Sequence, residues 1–144
     1  MEIRFIVDGK PLGKGRPRFA NRGGFTRAYT PQKTIDYEDR IKDAFLACQD
    51  AFKQPSPHPI WMIITARFKP PKSASKAKRK LMLDRLTSYT KKPDLDNIAK
   101  IVCDALNNVA YLDDSQIVRM SVFKSYGEDE YIDIHIGEFI DDNW

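Results

Sequence analysis

Residues 2–8 alternate strictly, with Ile3, Phe5 and Val7 on one side and Glu2, Arg4 and Asp8 on the other. A period of two predicts a half-buried strand. Over 31–49 the period lengthens, and Tyr37, Ile41, Ala44, Phe45 and Cys48 recur at helical spacing. Thr30 stands ahead of this run as a candidate N-cap, with Pro31 at the first helical position. The segment QPSPHP breaks the pattern. Alternation then returns over 59–69, with Ile60, Met62, Ile64, Ala66 and Phe68 on one face. In KKPDLDNIAKIVCDALNNV the apolar set Leu95, Ile98, Ile101, Val102, Ala105, Leu106 and Val109 predicts a second amphipathic helix. Residues 116–125 and 130–138 predict two closing strands, with Gly127 in the turn between them.

Two stretches between these elements are basic. Residues 9–30 carry glycines, prolines and six Lys or Arg with no acid, which predicts a long basic loop with a hairpin at Gly23-Gly24. Residues 67–85 hold eight Lys or Arg against one acid, Asp84, and 76–87 predict a short basic helix. The order β-α-β-(basic insert)-α-β-β predicts an α+β fold, a small mixed sheet with two main helices packed on it. With 144 residues and no internal repeat, one domain over 1–144 is expected.

Composition narrows the class. Hydrophobic residues make up 42% and charged residues 31%, a globular balance that excludes a disordered chain. No apolar run approaches the roughly 18 residues of a membrane span, and MEIRFIVDGKP lacks the layout of a secretory leader. A cytoplasmic protein with no membrane partner is expected. Cys48 and Cys103 sit inside apolar helical patterns, as reduced core residues do. The net charge of +4 conceals an asymmetry. Residues 1–92 hold 21 Lys and Arg against 8 Asp and Glu, whereas residues 93–144 hold 3 against 12. A basic part invites a polyanion, and clustered acids need a counter-charge such as a metal ion.

The acids concentrate at two places. Asp94 and Asp96 open the second helix, where they suit both capping and the positive end of the helix dipole. Two positions apart, they would not share one face of a continuous helix, but at a loop-to-helix junction both could converge on one cation. Asp113-Asp114 supplies a second pair, which taken alone is an ordinary turn. Four carboxylates in a chain with two histidines favour Mg²⁺, or Mn²⁺ in its place, over Zn²⁺. His58 and His135 lack ligand-like spacing. Lys100 follows Asp96 by four residues, so it is either a surface pair or an ammonium beside the acids.

Other chemistries are excluded. GKPLGKGRPR has three residues between Gly9 and Gly13, and Gly15 where a P-loop needs Ser or Thr. No nucleophile elbow, dinucleotide fingerprint or Cys-x-x-Cys pair is present. Arg16, Arg18, Arg22 and Arg27, interleaved with Phe19, Phe25 and Tyr29, suit phosphate contacts with occasional stacking on unpaired bases, or else a solvated basic loop.

The segment KKPDLDNIAKIVCDALNN…AYLDDSQI…VFKSYG, with KGRPR near the start, resembles the RusA-type Holliday-junction resolvases, densest over 91–126. That resemblance implies a homodimer that cuts four-way junction DNA by paired symmetric nicks, in recombination and repair, using Mg²⁺ or Mn²⁺. It places the catalytic acids at Asp94, Asp96 and Asp114, with Asp113 as a neighbouring ligand, and the catalytic lysine at Lys100. The basic loops would then hold the junction arms, through Lys14, Arg16, Arg18, Arg22 and Arg27 in the first and Lys76, Lys78, Arg79, Lys80, Lys91 and Lys92 in the second. Two other readings stay open: a less selective flap or fork nuclease, and a non-catalytic architectural DNA-binding protein whose acids only cap helices and make turns.

Overall fold

The computed structural model describes residues 2–48 and 53–140. Strand β1 (Glu2–Asp8) leads into a hairpin of β2 (Arg18–Arg22) and β3 (Phe25–Tyr29), then helix α1 (Gln32–Leu46). Strand β4 (Ile60–Phe68), the short helix α2 (Lys76–Leu83) and helix α3 (Leu95–Leu106) follow. A 3-10 turn at Asp114–Gln116 opens into β5 (Ile117–Tyr126), and β6 (Tyr131–Glu138) closes the order.

The main sheet is mixed, in the order β1-β6-β4-β5. Strands β1 and β6 pair antiparallel, as do β6 and β4, whereas β4 and β5 run parallel. A parallel pair needs a long crossover, which here is the stretch carrying α2 and α3. Helices α1 and α3 pack on each other, α1 against β1 and α3 against β5. The alternation read in the chain becomes the core: Ile3, Phe5 and Val7, the even positions of β4 from Ile60 to Phe68, and Ile132, Ile134 and Ile136 are all buried. From the helices come Tyr37, Ile41 and Phe45, and Ile98, Ile101, Val102, Ala105 and Leu106. The expected α+β fold with two main helices on a mixed sheet is what the chain forms.

The other face of the sheet is polar and aromatic. Arg4 clamps Asp133 through bonds of 2.7–3.2 Å, and His135 sits 3.0 Å from Glu2 with Trp61 edge-on to its ring. Gly137 is required there, because a Cβ would collide with the Trp61 indole.

Several boundaries differ from the sequence pattern. Pro31, not Thr30, occupies the N-cap of α1, with extended angles (φ −55°, ψ 144°) and no side-chain cap. The helix ends at Leu46, and residue 49, included in the expected span, lies outside the described residues. Helix α3 stops at Leu106: Asn107 is extended and Asn108 left-handed (φ 61°), a conformation asparagine tolerates better than most residues. Val109 therefore packs from the following turn, and Leu95 is exposed, not part of the buried stripe. Cys48 and Cys103 are both half-buried, and the Cys48 thiol donates to the Ala44 carbonyl one turn back. Among the described residues no helix is long and apolar enough to cross a membrane.

Candidate active site

The approach to α3 is held rigidly from the sheet. Tyr89 stacks on Phe68 (centroids 4.0 Å apart, 7° between planes), meets Tyr126 edge-on, and donates from its hydroxyl to the Lys92 carbonyl at 2.9 Å. Lys124 on β5 reaches over the Tyr89 ring and donates to the carbonyls of Lys91 (2.8 Å) and Pro93 (3.0 Å). Offset aromatic packing plus charge-assisted bonds fix the backbone that presents the next two acids.

Asp94 occupies the N-cap of α3 but makes no capping hydrogen bond with its side chain. Its carboxylate takes a two-point contact from Lys92 instead. That hydrogen bond, with the charges of Lys92, Lys124 and Arg16 around it, holds the Asp94 carboxyl below the usual carboxylate range. Asp96, in the first turn, is exposed and makes no ion pair among the described residues. Both carboxylates stand at the positive end of the α3 dipole, which suits acidic side chains. Lys100 is exposed and lies 3.7 Å from Asp104, one turn further on, not against Asp96.

The first basic loop is stitched to this helix. Lys14 N–H donates to the Asn97 carbonyl at 2.8 Å, and Gly13 lies so close to Pro93 and Asn97 that a Cβ would clash. The Lys14 ammonium bridges Glu38 on α1 and Asp104 on α3, both at 3.1 Å. Burial opposes its charge, yet the bonds to Asp104 and Glu38 prevail and raise its pKa. Lys14 thus joins the two helices, and its charge is matched within the fold.

Asp113 and Asp114 stand elsewhere. Asp113 caps the 3-10 turn in a capping box: its side chain accepts from Ser115 N–H, and Gln116 accepts from Asp113 N–H. The Ser115 bond lowers the Asp113 pKa. Gln116 also donates to the Ser56 and His58 carbonyls, at 2.8 and 2.9 Å, anchoring the turn. Asp114 is exposed, and its charge acts on Cys103 and Tyr111, toward the far half of α3. Burial, with Asp114 and Asp104 adding to it, pushes the Cys103 thiol up to about 11.

The parallel crossover explains this placement. Because β5 runs parallel to β4, α3 returns against it, so the start of α3 meets Lys124 and its end meets the start of β5. The seven residue steps from Ile117 to Lys124 span roughly 23 Å. Asp94 and Asp96 therefore lie at one end of α3 and Asp113 and Asp114 toward the other. Among the described residues of one chain, no three His, Cys, Asp or Glu side chains converge to hold a metal ion.

The remaining basic candidates divide by exposure. Arg16, Arg18, Arg27, Lys76, Lys78, Lys80, Lys91 and Lys92 are exposed, Lys80 pairing with Asp84 and Lys92 with Asp94. Arg79 is half-buried and donates to the Pro71 carbonyl. The Arg22 side chain lies outside the described residues. Lys124 and Gln116 were not singled out from the sequence. Each works through a backbone carbonyl distant in the chain, which leaves no local signal.

The sequence model described as Endodeoxyribonuclease RusA matches residues 8–137, a span that includes both acid pairs. The chain belongs to the RusA endodeoxyribonuclease family. An uncharacterized protein of Bacillus subtilis, YqaN, is 36% identical over 138 residues, covering 94% of this chain and 96% of its own. Within this chain the DLDN motif and the loop carrying KGRPR, separate in sequence, are joined by the Lys14–Asn97 backbone bond and by Gly13 packing on Pro93 and Asn97. Membership makes the protein a nuclease acting on DNA, and the exposed acids at the head of α3 are its candidate chemistry.

Proposed function

We propose that this RusA protein is a metal-dependent resolvase that cuts four-way DNA junctions by paired symmetric nicks in recombination and repair. The observation that carries the reading is the head of α3, where Asp94 and Asp96 stand exposed among Arg16, Lys92 and Lys124. The cations draw a phosphodiester backbone toward the carboxylates, which would otherwise repel it. By the chemistry of their oxygen donors, Asp94 and Asp96 suit Mg²⁺ or Mn²⁺. When bound, the ion would polarise the scissile phosphate and lower the pKa of a water.

A homodimer is part of the proposal. Asp113 and Asp114 lie beyond the far end of α3 and form no three-acid cluster with Asp94 and Asp96 among the described residues of one chain. A second copy could bring its own acid pair to the first copy's helix N-terminus. Two-fold symmetry then yields two equal sites, which suits two symmetric nicks. Lys100, exposed on α3 between the two acid pairs, would stabilise charge on the phosphate or orient the attacking water. Lys124, Tyr89 and Lys14 act at a distance by fixing the helix N-terminus.

The test is incision of a labelled synthetic four-way junction in Mg²⁺ or Mn²⁺, with and without EDTA, comparing the native protein with Asp96→Asn. Metal-dependent, symmetric nicking that Asp96→Asn loses while still binding supports the resolvase. Equal cutting of flaps and forks would point to the less selective nuclease. Binding with no cutting under any of these conditions would sink the enzymatic reading.

A further inference from the structure

The β2–β3 hairpin is not explained by the core. It forms a two-stranded sheet of its own, paired with no other strand among the described residues. The Gly23-Gly24 turn, with φ of +60° and +83°, is the tight two-residue kind that matches strand twist. Every residue of β3 is exposed. Phe19 is 71% exposed, Phe25 74% and Tyr29 48%. An isolated hairpin is marginal in water, and three exposed aromatics on one cost solubility unless they have a ligand.

Register sorts these residues. Arg18 pairs with Tyr29, Ala20 with Arg27, and position 22 with Phe25. Directly paired residues share a face, so Phe25, Arg27 and Tyr29 alternate along one side of β3, with Arg18 across from Tyr29. Ala20 across from Arg27 leaves a dip, and a concavity of about 630 Å³ lies there, lined by Ala20, Phe25, Arg27, Ala28 and Tyr29. Side chains two residues apart on one strand face stand about 7 Å apart. That is roughly twice the 3.4 Å rise of stacked bases, so a base fits between Phe25 and Arg27 and another between Arg27 and Tyr29. Both aromatic rings and guanidinium planes stack on bases without regard to their identity.

The hairpin also starts at the acids. Lys14, four residues before β2, donates its backbone N–H to the Asn97 carbonyl in α3, and Gly13 lies against Pro93 and Asn97. A strand of nucleic acid lying on the hairpin is thereby tethered beside the head of α3.

We propose that the β2–β3 hairpin is a stacking platform for unpaired bases, and that its ligand is the unstacked strand at a branch point of DNA. The proposal rests on the junction-cutting reading for its biological substrate, and it deepens that reading. Duplex DNA hides its base faces and meets only Arg18 and Arg27, whereas a branch point offers faces to Phe25 and Tyr29 as well. The hairpin therefore confers preference for branched over linear DNA, independently of the catalytic acids.

The test is equilibrium binding in EDTA, so that no cutting occurs, of oligo-dT, a four-way junction and a matched duplex. Phe25→Ala/Tyr29→Ala is expected to weaken oligo-dT binding on the order of 10-fold or more and to lower the ratio of junction to duplex affinity. Its salt dependence should match the native protein's, because no charge is removed, while Arg18→Gln/Arg27→Gln should reduce the slope by about two. Phe25→Trp/Tyr29→Phe, which keeps the rings, should restore binding. Native-like binding of oligo-dT and junction by Phe25→Ala/Tyr29→Ala would overturn the proposal. So would conversion of that variant to a monomer in light scattering with oligo-dT affinity per subunit retained, which would assign the hairpin to a second copy. Failure of the native protein to cut junctions would remove the resolvase reading but leave these titrations intact.

Discussion

Lys92 Nζ lies 2.9 and 3.0 Å from the two carboxylate oxygens of Asp94, so an ammonium already sits where a catalytic cation would have to approach. Lys92 is itself highly exposed and is also a candidate phosphate ligand. A DNA backbone arriving at the head of α3 would draw Lys92 toward phosphate and leave Asp94 to the metal. Under the proposed mechanism, DNA and metal binding would then be linked through one side chain.

Lys92→Gln should consequently raise Mn²⁺ affinity in the absence of DNA by a few-fold, read by isothermal titration, while reducing the salt slope of junction binding by about one. The same variant should return the Asp94 pKa toward the normal range in an NMR titration. The sign follows from the depressed folded value: the pair stabilises the fold above the unfolded pKa near 3.8 and is lost as pH falls through the lower folded value. Unchanged Asp94 titration would refute the coupling.

Mixing the Asp96→Asn and Asp114→Asn variants tests whether two copies assemble one site, as the proposed homodimer requires. Heterodimers of Asp96→Asn with Asp114→Asn have one intact pairing if each site draws one acid pair from each chain, and none if both pairs come from one chain. Restored nicking of a single strand after refolding the mixture is the expected outcome. Persistent inactivity, with heterodimers demonstrated by mass spectrometry, would place both acids of a site in one chain.

Lys14→Met should destabilise the protein by about 1–2 kcal/mol, because Glu38 and Asp104 would face each other without a counter-charge at a partly buried helix contact. Urea unfolding with an unchanged m-value is the measurement. A loss confined to DNA affinity, with stability intact, would show that Lys14 leaves its partners to bind phosphate.

Gln116→Ala removes the clamp on the Ser56 and His58 carbonyls and half of the capping box at Asp113. A cost of about 1–3 kcal/mol is expected from the carbonyls left unsatisfied. Hydrogen exchange should show faster opening over 113–117 than elsewhere. Uniform exchange across the chain would argue against a local clamp.

Lys76→Ala/Lys78→Ala/Lys80→Ala on α2 should weaken all DNA substrates alike and lower the salt slope by about two to three. These side chains are exposed and surround no core residue. A selective loss for one DNA structure would instead give α2 a role in shape recognition.

Much of the fold was legible because burial follows period. Alternation in β1 and β4 and the 3.6-residue stripe of α3 assigned core faces that the sheet and helices then bury. The Gly-Gly hairpin was legible too, since its turn chemistry is local. Helix ends were not. Thr30 satisfied a local rule, yet the chain entered α1 one residue later, and the helix end at Asn107-Asn108 was overrun by an apolar pattern that continued to Val109.

The sequence by itself determined which residue types are present for the chemistry: carboxylates at 94, 96, 113 and 114, few alternatives to them, and a basic, aromatic first loop. Those are properties of composition and short spacing, and short spacing survives folding. Only the tertiary structure decided which of them meet. The parallel pairing of β4 with β5 sends α3 back along the sheet, so the acid pairs separate by its length, while the KGRPR loop closes onto Asp94 from about eighty residues away. Strand direction is set by packing over the whole crossover, and no local pattern encodes it.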